Sequence, residues 1–189
     1  MKYFKKLIGK KLYLSPICVE DAEQYCEWLN DFEIAKNLLI FNRQLSLEKE
    51  KAILNDMVKN DAQVFGIIDM ETDKLLGNCS IFCINERNRK AEVGIFIGDK
   101  DYLSKGYGTE ALSLLLDYGF NVLNLNNILL EVFGFNKRAI RSYEKVGFKL
   151  IGKRREAIIL GGEKHDELYM DILASEFESP FIKPVLEKE

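Results

Sequence analysis

One stretch constrains this chain more than any other: Leu103-Ser104-Lys105-Gly106-Tyr107-Gly108-Thr109-Glu110-Ala111. Two glycines one residue apart follow an apolar run, Ala91-Glu92-Val93-Gly94-Ile95-Phe96-Ile97-Gly98. They open a longer segment with Ala111, Leu112, Leu115, Leu116, Phe120 and Leu123 at helical spacing. A strand therefore gives way to a helix through a glycine turn. That arrangement aims backbone N–H groups and the positive end of a helix dipole at one point, which suits a pyrophosphate.

Around this turn the periodicity alternates between 2 and 3.6. Lys11 to Ser15, Val64 to Met70, Leu75 to Ile84, Ala91 to Gly98 and Asn127 to Phe133 read as strands, and Phe148 to Leu160 with His165 to Leu173 as a final hairpin about Gly161-Gly162. Glu20 to Asn30 carries Ala22, Tyr25, Cys26 and Leu29 at helical spacing. Ser46 caps a second helix from Leu47 to about Val58, and Phe32 to Leu45 is a loop or short helix. Gly108 to Leu123 is a third helix. Asn136 and Gly147 are a matched start and stop for a fourth. Hairpin strands make one antiparallel part. The strand–helix–strand unit from Ala91 to Phe133 needs a crossover, so its two strands are expected to be parallel neighbours in a mixed sheet flanked by helices.

Gly106-x-Gly108-x-x-Ala111 also fits the dinucleotide fingerprint. The fingerprint glycine should follow its strand at once, but Gly98 to Lys105 intervenes. An acidic residue is wanted about 20 residues on, where the chain has Asn126 and Asn127. Three hairpin-type strands precede the loop instead of following it. A nicotinamide-dependent oxidoreductase is disfavoured on these grounds, and a purely structural glycine turn stays open.

The segment Asn136-Lys137-Arg138-Ala139-Ile140-Arg141-Ser142-Tyr143-Glu144-Lys145-Val146-Gly147-Phe148, taken with the glycine loop and the strand before it, resembles the GNAT superfamily of acetyl-CoA-dependent N-acetyltransferases, and within it the RimJ/RimL-like branch. The resemblance implies an α+β, GNAT-like acyl-CoA N-acyltransferase fold. Its central sheet would be mostly antiparallel, with one splayed parallel strand pair, flanked by helices, in a single domain over residues 1–189. It implies a primary amine attacking the thioester of acetyl-CoA in a ternary complex, with no metal. The acceptor would be a protein N-terminus or a small amine such as a polyamine, amino sugar or antibiotic. A non-catalytic acyl-CoA sensor on the same fold is the alternative.

Site residues follow from that resemblance. Lys105, Gly106, Tyr107, Gly108 and Thr109 would cradle the pyrophosphate, with Leu103 where the family often has Arg or Gln. A backbone N–H at Phe96 or Ile97 would serve the oxyanion. Asn136 would bond the pantetheine arm or the substrate near the thioester, and Arg138 and Lys145 could contact CoA phosphates or remain solvated surface. Tyr143 would protonate the departing thiolate; a phenol with pKa near ~10 serves a thiol near ~8.5 as a donor throughout. Seven residues apart on one helix, Asn136 and Tyr143 share a face. Either could instead be an ordinary cap or core residue. Glu92 would remove the proton that keeps an amine from attacking; its alternative is a strand-end charge paired with Arg89 or Lys90. Glu33, Glu156, Glu163 and Asp166 are lesser candidates for a cationic pocket. His165 reads as structural or pocket-lining, because no Gly-x-Ser-x-Gly elbow accompanies it.

Composition narrows the partners. A net charge of −3 gives no overall basic field for nucleic acid or anionic membrane. No apolar run approaches the ~18–20 residues of a bilayer span, and Met1 to Gly9 is too short and polar for a signal peptide. A cytoplasmic protein is expected. One histidine and four cysteines without a Cys-x-x-Cys pair cannot assemble the usual zinc sets. A homodimer is allowed, through the last hairpin or the tail from Ser175 to Glu189, but nothing demands it.

Overall fold

A computed structural model of the chain describes residues 2–60 and 62–187. Met1, Lys188 and Glu189, which the single-domain expectation and in part the tail expectation include, lie outside the described residues, as does Asp61. The chain divides into two compact units, Met1–Ser80 with Ile95–Leu114, and Ile81–Gly94 with Leu115–Glu189.

The first unit holds β1 (Leu7–Ile8), β2 (Leu12–Pro16), β3 (Gln63–Asp69), the start of β4 (Leu75–Asn85) and the end of β5 (Lys90–Ile97), in the order β1-β2-β3-β4-β5. β2 and β3 are antiparallel, from Leu12↔Asp69 to Pro16↔Phe65. Helices α1 (Ala22–Asn30), α2 (Phe32–Ala35) and α3 (Leu47–Lys59) belong here, with the first part of α4 (Tyr107–Asn121). Ser46 starts α3 as its residue type predicts, its side chain accepting a bond from the Lys49 N–H at 3.2 Å. The apolar stripe of α1 puts Ala22, Tyr25, Trp28 and Leu29 into a core with Tyr13, Leu54 and Ile68. Phe96 joins that core through edge contacts with Tyr25 and Trp28, its ring centroid 6.3 and 6.2 Å from theirs.

The second unit holds the rest of β4 and β5, β6 (Asn127–Phe133), β7 (Lys149–Leu160) and β8 (Glu163–Leu173), in the order β4-β5-β6-β8-β7, with the end of α4, α5 (Lys137–Val146) and α6 (Lys183–Leu186). β5 and β6 are the expected parallel pair. Their ladder covers only Lys90↔Asn127, Ala91↔Ile128 and Glu92↔Leu129, although β5 continues to Ile97 and β6 to Phe133. β6 pairs along its whole length with antiparallel β8. Alternation along these strands sorts the side chains onto two faces. Ala91, Val93, Ile128, Leu130, Val132, Met170 and Ile172 are buried on one, each stabilising by roughly 1.5–3 kcal/mol for the larger side chains. The end of α4 covers this face closely: a Cβ at Gly119 would lie 2.8 Å from Ile128 Cδ1.

Some features exceed the sequence reading. β1 is only two residues long. The helix expected from Glu20 begins with a 3-10 turn, Val19–Asp21, before α1. After β8 the chain is strapped to α4 by Asp117, which is fully buried. Its carboxylate accepts from Ser179 Oγ at 2.5 Å, from the N–H groups of Phe181 and Ile182 at 2.9 and 3.0 Å, and from Asn121 Nδ2 at 2.8 Å. Phe177 packs on Phe120 beside it, 5.4 Å between ring centroids.

Candidate active site

In the first unit, the glycine loop forms as its residues require. A 3-10 turn over Lys100–Tyr102 ends at Leu103. Ser104 then takes φ +59° and Gly106 φ +90°, and α4 starts at Tyr107. The left-handed φ at 106 is natural only for glycine. The Glu110 N–H bonds back into the turn, to Gly106 O at 3.0 Å. Helix starts in general leave N–H groups without an intrahelical acceptor, which is the basis of anion binding there. Ile97 lies beside the loop, its Cγ1 3.7 Å from a Cβ placed on Gly108. Lys105 is exposed.

Tyr107 has a more specific role than the motif suggests. Its hydroxyl donates to Asp69 Oδ2 at 2.9 Å, and its ring meets Tyr102 edge-on at 5.0 Å. Asp69 is buried and also accepts from Thr72 N, Thr72 Oγ1 and Glu71 N. Burial opposes its charge, but these bonds outweigh it and hold its pKa below the ordinary value. Burial and then the Asp69 carboxylate push the Tyr107 phenol up to about 12. The Tyr107 side chain thus braces the loop on the β3–β4 turn. Glu110 adds a second brace: its Oε1 accepts the Lys10 and Lys11 N–H groups at 2.5 and 2.8 Å.

In the second unit, α5 is bounded as its sequence predicts. Asn136 Oδ1 accepts from the Ala139 N–H at 3.2 Å, and Gly147 ends the helix at φ +114°. The cap occupies Oδ1, leaving the Asn136 amide as a donor. Seven residues of helix place Tyr143 about 10 Å further along the axis than Asn136. Tyr143 is half-buried, with Phe148 at 6.1 Å between ring centroids. Burial alone pushes its phenol up to about 12. Arg138 and Lys145 are exposed.

Register places Glu92 among carboxylates that sequence reasoning missed. Glu92 is level with Leu129, Glu131 with Tyr169, Phe133 with Glu167, and Glu167 with Arg154. Laterally paired residues share a face, so Glu92, Glu131 and Glu167 stand together on the face opposite the apolar core. Glu167 is only 7% exposed and accepts the Tyr169 hydroxyl at 2.8 Å. Burial, then Glu167 and Glu92, raise the Glu131 pKa, with Arg154 opposing. Arg89, one alternative partner of Glu92, instead donates from Nε to Asn124 O at 2.6 Å. The signal for Glu131 was present: a lone acid in Ile-Leu-Leu-Glu-Val, out of phase with the buried residues. Glu156 and Asp166 are engaged by Lys164 and Lys153, and Glu33 by Lys100. Glu163 is exposed at the start of β8. His165 stacks edge-on against Phe135 at 4.9 Å.

Residues 11–149, which carry both the glycine loop and α5, match the model of the acetyltransferase (GNAT) domain. The chain belongs to the GNAT acetyltransferase family. It is 30% identical over 174 residues to the uncharacterized N-acetyltransferase p20 of Bacillus licheniformis, covering 90% of this chain and 97% of that one. It is 36% identical over 94 residues, half of each chain, to the spermidine N(1)-acetyltransferase of Escherichia coli strain K12. The crystal structure of the spermidine N-acetyltransferase of Vibrio cholerae, solved with CoA and spermine, superposes with a TM-score of 0.79 at 26% identity, covering 89% of this chain and 98% of that one. The GNAT chain described here is accordingly an N-acetyltransferase, and GNAT acetyltransferases use acetyl-CoA. Glu167 and Tyr169 lie beyond the matched span. No described helix is long and apolar enough to cross a membrane.

Proposed function

We propose that this GNAT protein, as one transferase domain, acetylates a small polycationic amine of the polyamine class. The observation that carries the reading is the face shared by Glu92, Glu131 and Glu167 beside the short parallel ladder. A monoamine or peptide N-terminus presents one cation; a polyamine presents several, spaced along an apolar chain, and several carboxylates on adjacent strands match that pattern. The spermidine acetyltransferases among the relatives are consistent with it.

Acetyl-CoA, when bound, supplies an activated acyl thioester. The loop from Lys105 to Thr109 offers backbone N–H groups to its pyrophosphate, and Gly106 and Gly108 keep that backbone free of side chains. The Asn136 amide donates to the pantetheine arm, with Arg138 and Lys145 as outlying cations. Glu131 and Glu167 hold ammonium groups of the acceptor, and Glu92, directly or through water, takes the proton from the reacting amine. A backbone N–H at Phe96 or Ile97 donates to the acyl oxygen. Tyr143, protonated throughout the working pH range, donates to the leaving sulfur.

The test is thiol release from acetyl-CoA with spermidine, spermine, an aminoglycoside, a monoamine and a short peptide. The polyamines are expected to give the highest kcat/KM. Glu131→Gln should raise their KM by about tenfold, the scale of one partly buried ion pair, without changing that for acetyl-CoA. Below the raised Glu131 pKa the carboxyl is neutral and loses its hold, so polyamine kcat/KM should fall with pH earlier than an ordinary glutamate would dictate, and Glu131→Gln should remove that limb. Preference for the peptide would overturn the acceptor class.

A further inference from the structure

We infer that Lys11, from outside the glycine loop, supplies the cation that holds the diphosphate of the acyl donor. The inference rests on the acetyl-CoA site read above at Lys105 to Thr109 and adds a residue to it. Lys11 lies just ahead of β2, and its main chain is fixed at both ends: its N–H donates to Glu110 Oε1 at 2.8 Å, and its carbonyl accepts from the Met70 N–H at 2.9 Å. From that anchor the side chain runs to the loop. Nζ donates to Lys105 O at 3.0 Å, lies 3.7 Å from a Cβ placed on Gly106, and sits 5.8 Å from the centroid of the Tyr107 ring.

The surroundings of this ammonium differ from those of other lysines in the same unit. Lys2, Lys74 and Lys100 each rest on a carboxylate. Lys11 forms no ion pair among the described residues; it is held by a neutral carbonyl and the face of a ring. An ammonium has three N–H donors, and Lys105 O takes one. The helix start supplies only about half a unit of positive charge, whereas a diphosphate diester carries about two negative charges. Leu103 and Ser104 add no cation, and Lys105 turns its carbonyl toward Lys11. A second fixed cation at Gly106 closes most of the difference. The Glu110 carboxylate serves this arrangement by holding the Lys11 backbone and so fixing where the side chain starts.

The experiment compares wild type, Lys11→Met and Lys11→Arg for binding of CoA and dephospho-CoA by calorimetry, and for turnover of S-acetylpantetheine, which lacks the diphosphate. Lys11→Met is expected to weaken CoA and dephospho-CoA alike by about tenfold at low salt, with the ratio shrinking in high salt as exposed charges are screened. Lys11→Arg should stay within about threefold of wild type, and S-acetylpantetheine turnover should not change. If Lys11→Met binds CoA as wild type does, the lysine is only a latch on Lys105 and the inference falls while the donor site stands. Equal losses with S-acetylpantetheine would show general distortion of the loop and also overturn it. A loss seen with CoA but not dephospho-CoA would move Lys11 to the 3′-phosphate and overturn the diphosphate assignment. No CoA binding by wild type would remove the donor site itself.

Discussion

Tyr143→Phe separates two ways in which a phenol can assist a leaving thiolate. Burial holds the Tyr143 phenol at about 12. A thiol leaving group has a pKa near ~8.5, so complete proton transfer from Tyr143 is uphill by roughly 3.5 units, about 5 kcal/mol at ~1.36 kcal/mol per unit. In the proposed role Tyr143 would therefore act as a hydrogen-bond donor to developing charge, not as an acid that gives its proton away before the bond breaks. A hydrogen bond to a charged acceptor is worth about 1.5–3 kcal/mol, or roughly a 10- to 150-fold change in rate. Full general-acid catalysis would span ~10²–10⁴-fold. The variant keeps the ring that faces Phe148, so folding is little affected. The assay is thiol release at saturating acetyl-CoA between pH 6 and 10. The expected result is a kcat lowered about 10- to 150-fold with KM for acetyl-CoA within about threefold. The wild-type profile should show no falling limb from Tyr143 in this range, because the phenol keeps its proton until the pH nears 12. A loss below about threefold, or a wild-type limb near pH ~8–9 that vanishes in the variant, would refute the argument.

Two further variants test the scaffold. Asp117→Ala removes a buried acceptor of four bonds; some donors regain water, so a loss of about 2–4 kcal/mol is expected. That corresponds to a Tm lower by roughly 5–15 °C in a chain of this size, and an unchanged melting curve by calorimetry would show that the strap is not held there. Gly106→Ala forces a side chain into φ +90°, a strain of about 1–3 kcal/mol. It should raise KM for acetyl-CoA by about tenfold or more, and an unchanged KM would show that the turn at 106 is dispensable.

What the sequence disclosed and what it withheld divide along a physical line. Asn136 and Gly147 act on neighbouring backbone, so the bounds of α5 could be read from residue types alone. The parallel pairing of β5 and β6 was legible because a strand–helix–strand connection has few solutions. The bond from the Tyr107 hydroxyl was not legible because its partner, Asp69, is 38 positions away. Glu131 and Glu167 were missed because a shared face depends on register between β6 and β8, and register is a property of pairs of strands. Asp117 and Lys11 were silent because their partners, Ser179 and Lys105, stand 62 and 94 positions away.

The pairing of β6 with β8 builds the carboxylate face from two separate stretches of chain. The span that marks the chain as a GNAT acetyltransferase stops at residue 149, while Glu167 and Tyr169 reach the carboxylate face from the hairpin after it. Two members of the face, Glu92 and Glu131, lie within the matched span with the glycine loop, and the third, Glu167, lies outside it. A substitution at Glu167 would therefore change that face from a hairpin that carries none of the glycine loop.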